Sequence, residues 1–434
     1  MHCESYGITK VSDSLVRYAN LIILAHDNVV LYINMIHKRH KELWDRLDLH
    51  KDKPRRLAVY MGLVVLVVLS ILVRKSLIHA QNADYLIFSS WYDFAKLHGI
   101  HSFKYGYSDG FSNYNPPYTY FLYLSTLLPV SKIVAIKGMM AFFDVVLAGS
   151  VYGVMKVFRP RHYVPEIAAL ATMFLPTVLL NGVFWGQFDQ FYVAFILFSL
   201  WAGLTGRSRW AWALFGIALS IKLQAIFFLP VLGILVFKKI KWHDFIWGIG
   251  SFLTLTVPPV LVGRSIGSLL SIYPDQAKLF NGELTLNAPN LYQWLPNSAF
   301  HALNGMGIYL TLAITVLVVL YTLLRQMFSS KNILVLTTLL LYVIPFLLPA
   351  MHERYFLAAN IMSFILVFAY PSYAFITVAL ASQTITVLSY CPFLFGTVPI
   401  SMSILALGNL VIIGILGAQY FSMPLSPVSR SSTD

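Results

Sequence analysis

The sequence predicts an all-α polytopic membrane protein, a bundle of about twelve transmembrane helices with a long first outer loop carrying short amphipathic helices. Three observations predict it. Of the 434 residues, 58% are hydrophobic and only 11% are charged, against about 25% charged in soluble globular domains. Apolar runs of roughly 17–22 residues recur along the chain, enough to cross a hydrocarbon core about 30 Å thick. Basic residues gather in alternate short loops, the pattern that orients spans in a bilayer. Mean hydropathy is +0.70, and the 15% aromatic share suits interfacial belts. A formal charge of +13 placed in this way points to a membrane and away from nucleic acid.

Residues 1–56 are polar and read as a cytoplasmic N-terminal segment. Within it NLIILAHDNVVLYINMI (20–36) has apolar residues at helical spacing broken by Asn, His and Asp, which predicts an amphipathic helix on the membrane surface. No signal peptide is seen before Leu57. LAVYMGLVVLVVLSILV, behind KDKPRR, reads as an uncleaved signal anchor with its basic flank inside. Spans are expected near 57–73, 137–157, 163–182, 188–204, 209–222, 224–237, 244–263, 302–324, 332–350, 355–371, 373–390 and 401–421. That makes 57–421 one transmembrane domain and 422–434 a cytoplasmic tail. The inner loops then hold Lys156, Arg159 and Arg161, Arg207 and Arg209, Lys238, Lys239 and Lys241, and Arg325 and Lys331. Every basic cluster in a short loop falls on one side. YTYFLYLSTLLPV (118–130) is read as a helix lying along or dipping into the membrane, which keeps that parity. Cys3 and Cys391 fall in regions expected to be far apart, so neither a disulfide nor a Cys-rich metal site is expected.

Two long segments, 74–136 and 264–301, fall outside and are rich in Asn, Tyr, Asp and Trp. Loops of such length in compact domains are usually functional. Asp84, in NADYL, holds a carboxylate where it could take a proton from a hydroxyl; capping the helix that follows is the plainer alternative. In SNYNPPYTY (112–120), Asn113 and Tyr114 flank a rigid Pro-Pro and suit sugar hydroxyls, or equally loop packing. WGQFDQF (185–191) sets Gln187, Asp189 and Gln190 between apolar runs, more polar groups than one cap needs. Lys222, in SIKLQAIFF, is either a snorkelling cation or a counter-charge to an anion. Lys137 and Asp144 lie two helical turns apart and can face the same way. An Asp within a span needs a partner; Lys222 is one candidate, and a structural ion pair between helices is the other reading. In MHERYF (351–356), Arg354 carries a planar fork suited to phosphate oxygens. His352 can add a donor or a proton, Glu353 has no role beyond a salt bridge, and an idle solvated turn is the alternative.

Taken in order, these motifs resemble the C-type glycosyltransferase superfamily: an Asp after the first span, SNYNPPY, a Lys and an Asp in the second span, WGQFD, LTLNAPNLY (284–292) and MHERYF. The closest likeness, over roughly residues 57–371, is to bacterial membrane mannosyltransferase-like proteins related to the second mannosyltransferase of GPI-anchor synthesis. The resemblance implies transfer of a hexose such as mannose from a polyprenyl-phosphate donor. The acceptor would be a hydroxyl of a glycan, lipid or protein on the non-cytoplasmic face. It implies Asp84 as the general base of an inverting displacement. Arg354 with His352 would hold the departing lipid phosphate, with Lys222 as a further counter-charge. Asn113, Tyr114, Gln187, Asp189 and Asn290 would orient sugar or acceptor. No Asp-X-Asp pair stands at Asp84, so a divalent metal lacks support and no cofactor is assigned. No large soluble C-terminal domain is seen either, which leaves acceptor recognition to the outer loops. A secondary transporter with polar groups along a solute path is the rival reading. Against it stand the lack of a clear internal repeat and polar groups gathered at one face. A ligase or polymerase of lipid-linked sugars and a non-catalytic membrane subunit are further alternatives. Short loops favour a bacterial plasma membrane over the endoplasmic reticulum.

Overall fold

A computed structural model of the protein describes residues 53–160, 163–279 and 281–423. The expected surface helix over 20–36, Cys3, Arg161 and the tail beyond 423 lie outside these residues. Among the described residues, 57–160 and those from 164 onward fall in one compact unit, which holds the bundle.

The protein is an all-α polytopic membrane protein. Helix α1 (Lys53–Leu77) turns an apolar surface outward, and of its described side chains only Ser70 and Arg74 are buried. Two shorter helices follow, α2 (Ala83–His98) and α3 (Pro116–Thr126), the latter opened by Pro116 and Pro117 in its first turn. Proline suits that position because the first amides of a helix lack partners anyway. With 11 residues, α3 is about 16 Å long, too short to cross a bilayer. Helix α4 (Lys132–Phe158) is a full span. The next element is bent by 44° between α5 (Val164–Thr172) and the run Pro176–Trp185, where α6 (Pro176–Leu179) passes into a π-helix over Leu180–Trp185.

Helices α7 (Asp189–Leu204) and α8 (Ser208–Ile221) come next, then a 3₁₀ turn (Leu223–Phe228) that leads into α9 (Leu229–Val236). The expected span at 244–263 is broken into α10 (Phe245–Thr254) and α11 (Val257–Leu261). Pro258 and Pro259 have no amide to continue the ladder from the preceding turn. Two short helices, α12 (Ile266–Leu270) and α13 (Ile272–Lys278), precede the long α14 (Phe300–Leu324). The chain closes with α15 (Ser330–Leu347), α16 (Leu357–Ala369), α17 (Tyr373–Phe395) and α18 (Met402–Phe421). Among the described residues six helices are long and apolar enough to cross a membrane alone, and the bent pair makes a seventh. Helix α15 is buried almost all round, as expected of an apolar helix at the centre of a bundle. It packs on α14, α16 and α18, while α7 lies between α4 and α8.

The exposed α1 is fastened by its two buried polar residues. The Arg74 guanidinium donates to Asp144 Oδ2 at 2.8 and 3.0 Å, to Ser70 Oγ at 2.6 Å and to the Met173 carbonyl at 3.0 Å. The partner of Asp144 is therefore Arg74 and not the candidate Lys222; the pair joins two helices, as the other reading has it. That lysine is engaged by Asp189, and Lys137 is engaged by backbone carbonyls. Removing one partner of a buried pair leaves a charge without compensation. Asp144→Ala should therefore destabilise the protein by about 3–5 kcal/mol, read as a lower melting temperature in detergent. The double replacement Arg74→Met/Asp144→Leu should recover most of that loss. Equal melting temperatures for wild type and Asp144→Ala would show that the pair does not fasten α1.

Candidate active site

Asp84 does not cap α2. Asn82 does, its side chain accepting from the Tyr85 amide at 3.0 Å. That leaves the half-buried Asp84 carboxylate in the first turn of α2, where it meets another part of the chain. Oδ2 accepts from Trp185 Nε1 at 2.8 Å and from Gln187 Nε2 at 2.5 Å. The donors stand at and just past the end of the π-helix, an element common at functional sites. The stretch turns through Gly186, whose φ of +96° is a conformation that a side chain would oppose. Trp185 is fully buried and stacks on Phe393 with ring centroids 4.7 Å apart. Gln187 also lies 3.5 Å from the Tyr114 hydroxyl, which ends an aromatic cluster with Phe88, Trp91 and Tyr118.

The same stretch continues into Asp189, the fully buried first residue of α7. Its carboxylate accepts from Lys222 and from Asn181 Nδ2, the latter at 3.1 Å, and Arg354 Nε lies 3.7 Å away. Two cations thus share the Asp189 carboxylate, and the buried Glu353 stands next to Arg354 in the same cavity wall. Aromatic faces complete the surroundings. Lys222 Nζ lies 5.5 Å from the Phe188 ring and 5.4 Å from the Tyr355 ring, while the Arg354 guanidinium lies 5.8 Å from the Trp185 ring. Such faces attract cations. Trp185 accordingly touches both groups of interest, with its N–H on Asp84 and its face toward Arg354.

MHERYF is no solvated turn. Glu353, Arg354, Tyr355 and Phe356 are buried, and β2 (Met351–His352) pairs in parallel with β1 (Thr285–Leu286). Ala350, whose amide donates to the Leu284 carbonyl at 2.8 Å, has φ +56°, and Asn287 has φ +57°. Each left-handed non-glycine residue costs about 1–3 kcal/mol and persists only where its surroundings dictate it, a trait that gathers at ligand sites. Asn290 is fully buried. Its side chain accepts from the Tyr292 amide and donates to the Leu348 carbonyl, both at 3.2 Å, so it braces the approach to MHERYF. His352 lies 3.8 Å from Glu353. Burial lowers its pKa from the ordinary 6.5, and Arg354 and Lys222 add to the lowering against the opposing pull of Glu353.

These elements enclose a cavity of about 1030 Å³, at the upper end for small-ligand sites, which run to about 1,000 Å³. Asp84, Asn113, Tyr114, Gln187, Lys222, His352 and Arg354 line it. Asp189 and Asn290 are not in its wall. Asp189 stands behind the cations, and Asn290 lies in the supporting layer. The cavity roof draws on the long segment after α11, where Gln276 Nε2 donates to the Asn113 carbonyl at 2.6 Å. Trp185 and Tyr355 are contributors that the sequence reading passed over; an aromatic residue in an apolar run carries no local mark of such a role.

A family model for glycosyltransferase family 87, a C-type membrane family, matches residues 111–341, over half of the chain. The chain belongs to glycosyltransferase family 87. No curated protein matches it. Membership makes this an integral-membrane glycosyltransferase that takes a sugar donor and an acceptor, and the transporter reading gives way to it. The family 87 match includes SNYNPPY, WGQFD, Lys222 and LTLNAPNLY. It begins after Asp84 and stops before MHERYF, so the grouping of those two with the matched residues comes from the cavity itself.

The lowered pKa of His352 has a measurable consequence. On acidification the unfolded chain takes up this proton before the folded one does. The stability associated with neutral His352 is whole above pH 6.5 and is lost as pH falls through the folded value. Between about pH 7 and pH 5 the melting temperature of wild type should fall more steeply than that of His352→Gln. Parallel curves would contradict this.

Proposed function

We propose that this glycosyltransferase moves a hexose, mannose being the leading candidate, from a polyprenyl-phosphate donor to an acceptor hydroxyl on the non-cytoplasmic side of the membrane. The single observation that carries the proposal is the cavity with a carboxylate at Asp84 and two cations, Lys222 and Arg354, in its wall, with Trp185 between them. Asp84 takes the proton from the acceptor hydroxyl. The freed oxygen attacks the anomeric carbon from the face opposite the phosphate, and the bond from that carbon to the phosphate oxygen breaks. The electron pair leaves on the lipid phosphate, giving an inverted glycoside. Arg354 and Lys222 stabilise the growing phosphate charge, which is often the largest catalytic contribution. Neutral His352 donates a hydrogen bond there. Gln187, Asn113 and Tyr114 orient sugar and acceptor.

What supports a lipid donor is the setting. A cationic cluster at the ends of apolar helices meets a phosphate whose tail stays in the membrane. The twelve-span arrangement belongs to the same proposal: α7 to α11 and α16 complete crossings as short or broken helices, and a bacterial plasma membrane is the expected site. The likeness to the second mannosyltransferase of GPI-anchor synthesis supports the choice of mannose.

Transfer of labelled mannose from a polyprenyl-phosphate donor by purified protein tests this reading. Asp84→Asn should lower kcat by about 10²–10⁴, the range of general-base contributions, with donor binding retained. Arg354→Ala should weaken binding of polyprenyl phosphate more than acceptor binding, and Arg354→Lys should not restore it, because a point charge cannot replace the fork. Full activity of Asp84→Asn, or equal losses of donor and acceptor binding in Arg354→Ala, would refute these roles.

A further inference from the structure

We propose that Lys137 is a positioning residue for sugar transfer: its buried ammonium ties together the two backbone segments that hold Asp84 and the donors to Asp84. The inference rests on the reading of Asp84 as the base. Lys137 lies within α4 and is fully buried. The acid on its own helix, Asp144, is occupied by Arg74. Its ammonium instead donates to the carbonyl of Ala80 and, at 2.5 Å, to that of Phe184.

Those two acceptors are telling. Ala80 lies in the short link between α1 and α2, just before Asn82 and Asp84. Phe184 immediately precedes Trp185, and the same turn delivers Gln187. Both carbonyls stand at or just past the C-terminal end of a helix, where unpaired carbonyls carry partial negative charge. A cation there is compensated without a carboxylate. The lysine stem runs beneath the Gly186 turn: a Cβ at Gly186 would come within 3.9 Å of Lys137 Cε. Its ammonium also lies 5.9 Å from the ring of Tyr85, the neighbour of Asp84. A second link lies beside it, with Asn82 Nδ2 donating to the Trp185 carbonyl at 2.8 Å. Lys137 thus pins the two strands of chain whose separation sets the distance from Asp84 to Trp185 and Gln187. The Arg74–Asp144 pair differs, because it fastens helix α1 as a whole.

Lys137→Met keeps a stem of similar length and removes every donor. Three readouts are taken on purified full-length protein in detergent. These are kcat for transfer from polyprenyl-phosphate-linked mannose, binding of undecaprenyl phosphate alone, and carbodiimide labelling of Asp84 followed by peptide mass spectrometry. The exposed Asp93 and Asp275 serve as internal references. A displaced catalytic group can cost about a hundredfold, so kcat should fall by that order while undecaprenyl phosphate binds as in wild type. Labelling of Asp84 should rise relative to Asp93 and Asp275, and Gln187→Ala should raise it in the same way. Should Lys137→Met not yield monodisperse protein, Lys137→Gln carries the same test with one donor group left. Wild-type kcat and wild-type labelling would overturn the proposal, as would parallel losses of kcat and phosphate binding. If wild type transfers nothing from the polyprenyl donor, labelling alone decides. A rise then upholds the positioning role and removes only the proposed donor, while unchanged labelling overturns the role itself.

Discussion

The arrangement of the candidate site depends on one short stretch, Trp185 to Asp189, and on the hydrogen bonds and ion pairs of its alternate residues. Trp185 and Gln187 donate to Asp84; Asp189 binds Lys222 and stands beside Arg354. A carboxylate proposed as base and cations proposed to hold a phosphate are thus spaced by a single irregular turn of backbone. Bringing Lys222 and Arg354 together without Asp189 would place two like charges in a buried setting, where removal of one member of a compensated group costs several kcal/mol. Asp189 therefore does its work from behind the cavity wall.

The irregularity of that stretch follows from its residues. The π-helix gives way to Gly186, which supplies a backbone conformation that residues with a Cβ rarely adopt. Gly182, one turn earlier, has Gln190 and Asp144 against its backbone, so that a Cβ there would come within 2.7 Å of the Gln190 amide. The stretch is thus packed from three sides, by α4, by α7 and by the chain before α2. Its shape is overdetermined, and the groups it carries inherit that rigidity. On the far side, the parallel pairing of Thr285–Leu286 with Met351–His352 brings the late motif to the same cavity.

The fold class was legible in the sequence because apolar runs of membrane length admit few other structures. Much of the site was legible for a related reason. Polar groups such as Asp84, Gln187, Lys222 and Arg354 are expensive near membrane spans unless they are used, so their presence alone drew attention. Pairings were not legible. Asp144 required a partner, but nothing local says that α1 lies against α4 and so brings Arg74 to it. Asn290 reads in the sequence as a ligand-facing amide, yet it braces two backbone segments, since an amide side chain serves either purpose and only tertiary contacts distinguish them. The β pairing is two residues long, too short to leave any periodicity. The apolar span expected at 188–204 is found at Asp189–Leu204, whereas the one at 244–263 breaks before Pro258 and Pro259, whose missing amides interrupt the helix.

In the proposed mechanism one cavity places a sugar-phosphate bond between Asp84 and the Arg354–Lys222 pair. The most direct measurement is an electron cryomicroscopy structure of the protein with a polyprenyl-phosphate-linked sugar bound. The phosphate should lie within hydrogen-bond reach of Arg354, with the sugar's anomeric carbon on the Asp84 side of Trp185. A phosphate bound away from Arg354 and Lys222, or a sugar turned away from Asp84, would contradict it.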